Sequence, residues 1–226
     1  IEQYLTSVTA LNNIIQSISS NKLELISAKD SLSKNQVNLK TNITQRENTL
    51  RKLQLAVAND QQKLTDLKRQ RRELETLLNE VETAVADLVL PTNSLPFTSR
   101  KGELEWPTKG KLAQRYGAQR NGPVQWQGWL IKVSAGAAVQ TVHQGRIVFS
   151  NYLRGFGLLL IIDHGDGYMT LYGHNQELLK DTGDWVKTNE IIARAGNTGG
   201  LSAPALYFEI RSQGQPTSPK KWLQKS

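Results

Sequence analysis

Apolar positions in the first ninety residues recur every 3.5 residues; beyond them the period drops to two. One seam runs Ile1, Val8, Ile15, Lys22, Lys29, Gln36, Ile43, Leu50, Val57, Leu64, Arg71, Leu78, Val85. Its companion runs Tyr4, Leu11, Ile18, Leu25, Leu32, Leu39, Arg46, Leu53, Asp60, Leu67, Leu74, Val81, Leu88. A stripe of this period supercoils left-handedly against a partner helix, so residues 1–90 read as a coiled coil. Polar seam positions (Lys22, Lys29, Gln36, Arg46, Asp60, Arg71) weaken the zipper and bear on register and partner choice. They cluster between 22 and 46, which leaves two forms open: one helix of roughly 130 Å, or a helical hairpin bent near Lys40–Thr44. Such an element serves either as a spacer or dimerisation rod, or as a docking arm for another protein.

From Leu104 the chain reads as short strands between glycine turns, expected near 111–116, 124–133, 139–142, 145–152, 158–163, 168–172, 191–195 and 205–211. His164-Gly165-Asp166-Gly167 suits a tight hairpin. In APALYFEI, Leu206, Phe208 and Ile210 share one strand face, and Tyr207, Glu209 and Arg211 the other. Many short strands with regular turns imply a sandwich or barrel. The fold class is therefore α+β in separate domains: coiled coil 1–90, linker 91–103 (PTNSLPFTSRKGE), and an all-β domain 104–226.

Composition draws the same boundary. All 17 Gly, 7 Pro and 5 Trp lie beyond Val89. The first ninety residues carry 12 Lys and Arg against 11 Asp and Glu; the remainder holds a net +7 of the total +8. A basic domain suits an acidic neighbourhood such as the bacterial cell wall, or simply solubility. No stripe of basic residues interleaved with aromatics argues for nucleic acid. Without cysteine, disulfides and thiolate-held zinc are excluded. The longest apolar run is the Leu158–Ile162 group, far short of a membrane span. The chain opens on Ile1 rather than Met and reads as a processed or truncated product, with any signal peptide upstream.

Several segments carry a more specific resemblance. WPTKGKLAQRYG, GRIVFSNYLRGFGLLLIIDHGDGYMTLYGHN, GDWVKTNEIIARAGNTG, ALYFEIRSQGQPTSP and the terminal WL, in this order, resemble the LytM or lysostaphin-type zinc endopeptidase domain. That family holds zinc through the His and Asp of an HxGxD pattern and the second His of an HxH pair. A catalytic zinc needs three protein donors and an open position for water. Here HxGxD falls on Trp126-Gln127-Gly128-Trp129-Leu130, and HxH on Ala205-Leu206-Tyr207. The ligand positions thus hold Trp126, Leu130 and Tyr207, none a zinc donor of that family. His174 matches a catalytic histidine of the family; His143 is expected on the surface and His164 in a structural role at its hairpin. The resemblance implies no zinc, no other cofactor and no catalytic residue.

A coiled coil followed by a degenerate LytM domain resembles the EnvC-type murein hydrolase activators of Gram-negative bacteria. That resemblance implies a non-catalytic activator in the periplasm, at the division site. Its groove would bind an N-acetylmuramoyl-L-alanine amidase and relieve that enzyme's autoinhibition. Its coiled coil would dock on an FtsEX-like division complex, with peptidoglycan a further candidate partner. A helix lying in a groove needs apolar anchors and polar guides. Trp126, Leu130, Phe156, Leu159, Tyr172 and Tyr207 are the expected anchors; Gln127, His174 and Arg211 are the guides, Arg211 through a carboxylate. Part of Arg72–Leu90, or the linker with Leu95 and Phe97, is expected to occlude the groove. Two alternatives stay open: a peptidoglycan-binding scaffold, and a periplasmic efflux-pump adaptor suggested by GDWVKTNEIIARAG. In adaptors, however, the coiled coil interrupts the β-domain, whereas here every β segment follows it.

Overall fold

A computed structural model describes residues 2–85, 95–121 and 123–225. Its contacts divide the chain into Ile1–Gln61 and Gln62–Ser226. One helix, α1, runs Glu2–Val85. The bend considered near Lys40–Thr44 is absent. Helical hydrogen bonding continues there, and the Thr41 and Thr44 hydroxyls donate to the carbonyls of Val37 and Lys40 at 3.0 and 3.1 Å. In the first unit the seam side chains Leu11, Ile18, Leu25, Leu32, Leu39, Leu50 and Val57 are exposed.

The second unit holds the β-domain and the final turns of α1. Its strands are β1 (Lys111–Gln114), β2 (Gln119–Asn121), β3 (Val124–Gln125), β4 (Trp129–Lys132), β5 (Ala138–Gln140) and β6 (Gly145–Leu153). They continue as β7 (Gly157–Asp163), β8 (Tyr168–Leu178), β9 (Trp185–Val186), β10 (Ile191–Ala195), β11 (Ala205–Ser212) and β12 (Gln215–Thr217). The main sheet is antiparallel in the order β1-β4-β11-β8-β7-β6-β9; β10 bridges β5 and β8, and β12 extends β11. β2 and β3 form a separate hairpin. The strand expected over 124–133 is broken at Trp126–Gly128, where the chain passes close over β11. A Cβ on Gly128 would overlap the Phe208 carbonyl and meet Glu209 Cβ at 3.0 Å, so only glycine fits this crossing. β2, β9 and β12 are too short to show an alternation in sequence.

Both faces of the central strands are covered. Leu160, Ile162, Tyr172, Leu206, Phe208 and Ile210 join Ile131, Val139 and Ile147 in the interior of the domain. Leu159, Ile161, Met169, Leu171 and Tyr207 point the other way, into a second cluster that includes Leu74, Leu78 and Val81 of α1. A strand buried on both faces is apolar throughout rather than alternating, which accounts for the unbroken Leu158–Ile162 run.

Phe97, expected as an alternative plug for the groove, packs in the main core instead. Its ring stacks on His164 and Tyr168 at 4.9 and 5.0 Å and contacts Trp222 and His143. Leu95 is exposed. His143, expected on the surface, is buried in the same aromatic box. His164 is buried and has both ring nitrogens engaged. Nδ1–H donates to the Gln144 carbonyl at 2.7 Å, and Nε2 accepts from the Thr170 hydroxyl at 2.7 Å. Burial, with a smaller contribution from His143, lowers its pKa to about 3. Its folded pKa lies below the unfolded value near 6.5, so the stability it contributes is complete above that value and is lost as pH falls toward 3. Between pH 7 and pH 5 this group should cost about 2 kcal/mol. Urea denaturation of the chain and of His164→Asn at both pH values checks this; the variant should lose less stability on acidification, and equal losses would contradict it.

Candidate functional site

The second apolar cluster is a groove on the outer face of β7, β8 and β11. Leu159 lies on its floor, Phe156 enters from the β6–β7 turn, and Trp126 enters from the segment between β3 and β4. Phe156 is presented between Gly155 and Gly157, both in left-handed conformations (φ +82 and +66). Tyr207 is the hub: its ring lies 5.3 Å from Phe156, 6.2 Å from Trp126 and 6.3 Å from His174. Leu130 is its cross-strand neighbour and packs at the edge of the cluster. Sequence matching therefore assigned to this groove residues that the fold does bring together.

Strand parity corrects one of them. Tyr172 shares the inward face of β8 with Thr170, and its hydroxyl accepts from the Val142 N–H at 3.1 Å and lies 3.0 Å from Thr170 Oγ1. It is fully buried in the interior and lines no groove. His174, two residues on, would be expected to point inward as well. It adopts a left-handed φ of +65, which breaks the alternation and turns the imidazole toward Tyr207.

α1 occupies the groove. Leu74, Leu78 and Val81, at spacings of four and three, present one helical face to it, and Leu74 is 0% exposed. One turn upstream, Gln70 packs against Gly155. Part of the expected stretch Arg72–Leu90 thus covers the groove; residues 86–90 lie outside the described residues. The helix segment 67–81 is called the arm below.

An ionic cluster, buried at Arg211 and Glu209 and partly exposed at Glu75 and Arg71, clamps the arm. Arg211, 3% exposed, donates to Glu209 at 2.9 Å and to Glu75 of the arm at 2.8 Å. Glu75 also pairs with Arg71 at 2.6 Å. Tyr207 donates its hydroxyl proton to Glu209. Burial pushes the Glu209 carboxyl up, against the opposing pull of Arg211. Tyr207 is raised well above its ordinary value, first by burial and then by Glu209, so its phenol stays protonated and donating. Sequence reading paired Arg211 with a carboxylate but missed Glu209. Its place in a strand with apolar alternate positions was the available signal, since a charge flanked by core residues there must be covered from the other side. Arg120, also missed, lies 4.2 Å over the Trp126 ring.

The groove does not fit the zinc that the LytM domain type implies. Its matched positions offer an indole, an isobutyl group and a phenol already committed to Glu209. The nearby imidazole of His174 has Nδ1 bonded to the Thr198 carbonyl at 2.7 Å. Among the described residues, no three His, Cys, Asp or Glu side chains are grouped so as to hold a metal ion. The aromatic and aliphatic lining is instead a surface suited to another apolar face.

Residues 124–219 match the model of peptidase family M23. The chain is 42% identical over 123 residues to the murein hydrolase activator EnvC of Escherichia coli K12, covering 54% of this chain and 29% of that protein. It is 40% identical over 119 residues to the murein hydrolase activator NlpD of the same strain, covering 52% and 30%. The match thus spans under a third of the length of either relative. A zinc-containing peptidase from Vibrio cholerae superposes with a TM-score of 0.50 at 26% identity, over 54% of this chain and 40% of that one. A putative M23 peptidase from Pseudomonas aeruginosa shares the fold, with a TM-score of 0.52 at 22% identity over 70% and 62%. Residues 124–219 of the β-domain thus match peptidase family M23, and the domain is similar to those of murein hydrolase activators, while the positions matched to zinc ligands hold Trp126, Leu130 and Tyr207.

Proposed function

We propose that the chain is a non-catalytic activator of a cell-wall N-acetylmuramoyl-L-alanine amidase. The observation that carries this reading is a groove that has exchanged metal ligands for Trp126, Leu130 and Tyr207 and takes up an amphipathic helix. A surface that accepts one such helix is suited to accept another, and an enzyme held inactive by its own helix is switched on by a protein that captures that helix. The activator names of the EnvC and NlpD relatives support the same direction. Trp126, Gln127, Leu130, Phe156, Leu159, His174, Tyr207 and Arg211 form the binding surface in this reading, and the arm is its autoinhibitor.

The exposed seam of residues 5–61 is then a docking surface for an FtsEX-like division complex, whose engagement pulls the arm away. In this reading the chain works in the periplasm of a Gram-negative bacterium, at the division site, where its amidase partner meets peptidoglycan. Among the described residues no helix is long and apolar enough to cross a membrane.

Dye release from labelled peptidoglycan tests the reading, with chain alone, amidase alone and both together, each chain carrying Leu74→Glu to open the groove. Stimulation of the amidase with no release by the chain alone is the expected result. Adding Leu130→Lys should remove at least nine-tenths of the stimulation by placing a charge on the groove edge. Release by the chain alone would overturn the reading. So would binding of the wall without any effect on the amidase, which favours the scaffold alternative.

A further inference from the structure

The arm fills the groove incompletely. Beside its Leu67–Arg71 turn a cavity of about 360 Å³ remains, lined by Arg71, Tyr116, Arg120, Trp126, Gln127 and Tyr207. This end of the groove stays open to solvent beside the arm, so its occupant leaves part of the lining uncovered.

The mismatch is electrostatic as well. Arg71, Arg120 and Arg211 face two carboxylates, Glu75 and Glu209, and both carboxylates are already engaged by Arg71 and Arg211. Among the described residues no carboxylate pairs with Arg120, which rests only on the Trp126 ring. The arm offers it Arg71 across the cavity, a second cation. Burial lowers the Arg120 pKa, as expected for a desolvated cation with no anion beside it. Gln127 Oε1, also on this wall, is buried with no hydrogen-bond partner.

We propose that the groove is built for an amphipathic partner helix carrying one acidic side chain more than the arm: one carboxylate replaces Glu75 at Arg211, and a second is seated against Arg120. This rests on the activator reading and names the chemistry of its partner. The extra carboxylate explains how a free partner displaces a tethered arm. The arm belongs to the same chain as the groove and so benefits from an effective concentration that a free partner lacks; a competitor must make contacts that the arm does not. A charge-assisted pair at the partly buried Arg120 is such a contact. The arm is thus an incomplete mimic: tight enough to hold the groove closed, and one ion pair short of resisting the partner.

The test uses the full chain with Leu74→Glu and Leu78→Glu, which frees the groove, and fluorescent peptides of residues 64–82. These carry the native sequence, Gln70→Glu, Arg71→Glu or Arg71→Gln. At least one acidic peptide should bind about ten-fold more tightly than its neutral counterpart, native Gln70 or Arg71→Gln. That gain should vanish when the chain also carries Arg120→Ala. An acidic peptide with no gain at either position, or a gain that survives Arg120→Ala, overturns the inference. The amidase assay separates this outcome from the parent reading. Stimulation by the opened chain with no acidic gain defeats only the present inference, whereas an acidic gain with no stimulation defeats only the activator reading.

Discussion

A chain carrying Leu74→Glu should stimulate its amidase at least ten-fold more than the native chain at equal concentration. Leu74 is fully buried between the arm and the groove, beside Leu78. Full burial of a leucine contributes about 1.5–3 kcal/mol, and the substitution replaces that gain with the cost of desolvating a carboxylate. The side chain escapes that cost by lifting the arm, because its contacts lie in the outer cluster and not in the interior core of the domain. A shift of only 1.4 kcal/mol in the closure equilibrium changes the open population ten-fold while the open form remains the minor species. Amide hydrogen exchange over residues 67–81 should rise in parallel, with β7 and β8 still protected. Increased exchange without stimulation would show that the arm covers the groove but does not control the amidase. Unchanged exchange would show that it does not cover the groove in solution.

Arg211→Ala should lower stability by about 3–5 kcal/mol at pH 7, the usual cost of removing one member of a buried ion pair. Glu209 is 0% exposed and depends on Arg211 for its compensating charge. The variant also loses the clamp on Glu75. The pH dependence has a definite sign. Burial already raises the Glu209 carboxyl, and removing the guanidinium takes away the largest opposing pull, leaving the Tyr207 hydrogen bond and Arg71. A carboxyl raised in the folded state favours folding below its unfolded pKa, and that stability is lost as pH rises through the folded pKa. The deficit relative to the native chain should therefore be largest at pH 7 and shrink toward pH 5. Glu209→Gln in the same background should recover at least 1 kcal/mol at pH 7, since a neutral amide needs no counter-charge. Urea denaturation of the three chains at both pH values decides it; a deficit independent of pH and untouched by Glu209→Gln would show that Arg211 acts through packing alone.

Much of the site was legible in the residues because a strand's alternation assigns faces before any partner is known. Leu206, Phe208 and Ile210 point inward and Tyr207 outward, as the pattern APALYFEI requires. Matching the motif brought Trp126, Leu130 and Tyr207 to one place although they lie up to 81 positions apart in sequence. Tyr172, expected as a groove anchor, shares by strand parity the inward face of β8 with Thr170 and lies in the interior. His174 escaped the same rule only through a left-handed backbone, which sequence does not announce for a non-glycine residue.

The helix shows the limit more sharply. The heptad series predicts a buried seam along α1, and Arg71 interrupts it as an apparent defect. In the fold the last turns of that seam face a sheet, and Arg71 sits near Glu75, Tyr207 and Glu209 as part of an ionic cluster. Periodicity records that one face of a helix is covered; it carries no information about what covers it. Glu209, His143 and Phe97 follow the same logic, because each is buried by residues distant in sequence.

The sequence by itself determined the two-part architecture, the faces of the strands and the replacement of zinc-binding side chains, because these depend on local period and on residue identity at matched positions. Only the tertiary structure decided that the arm occupies the groove, that Glu75 is clamped by Arg211 and that Arg120 has no carboxylate partner among the described residues. Those facts depend on which surfaces meet, and desolvation and charge pairing act across space rather than along the chain.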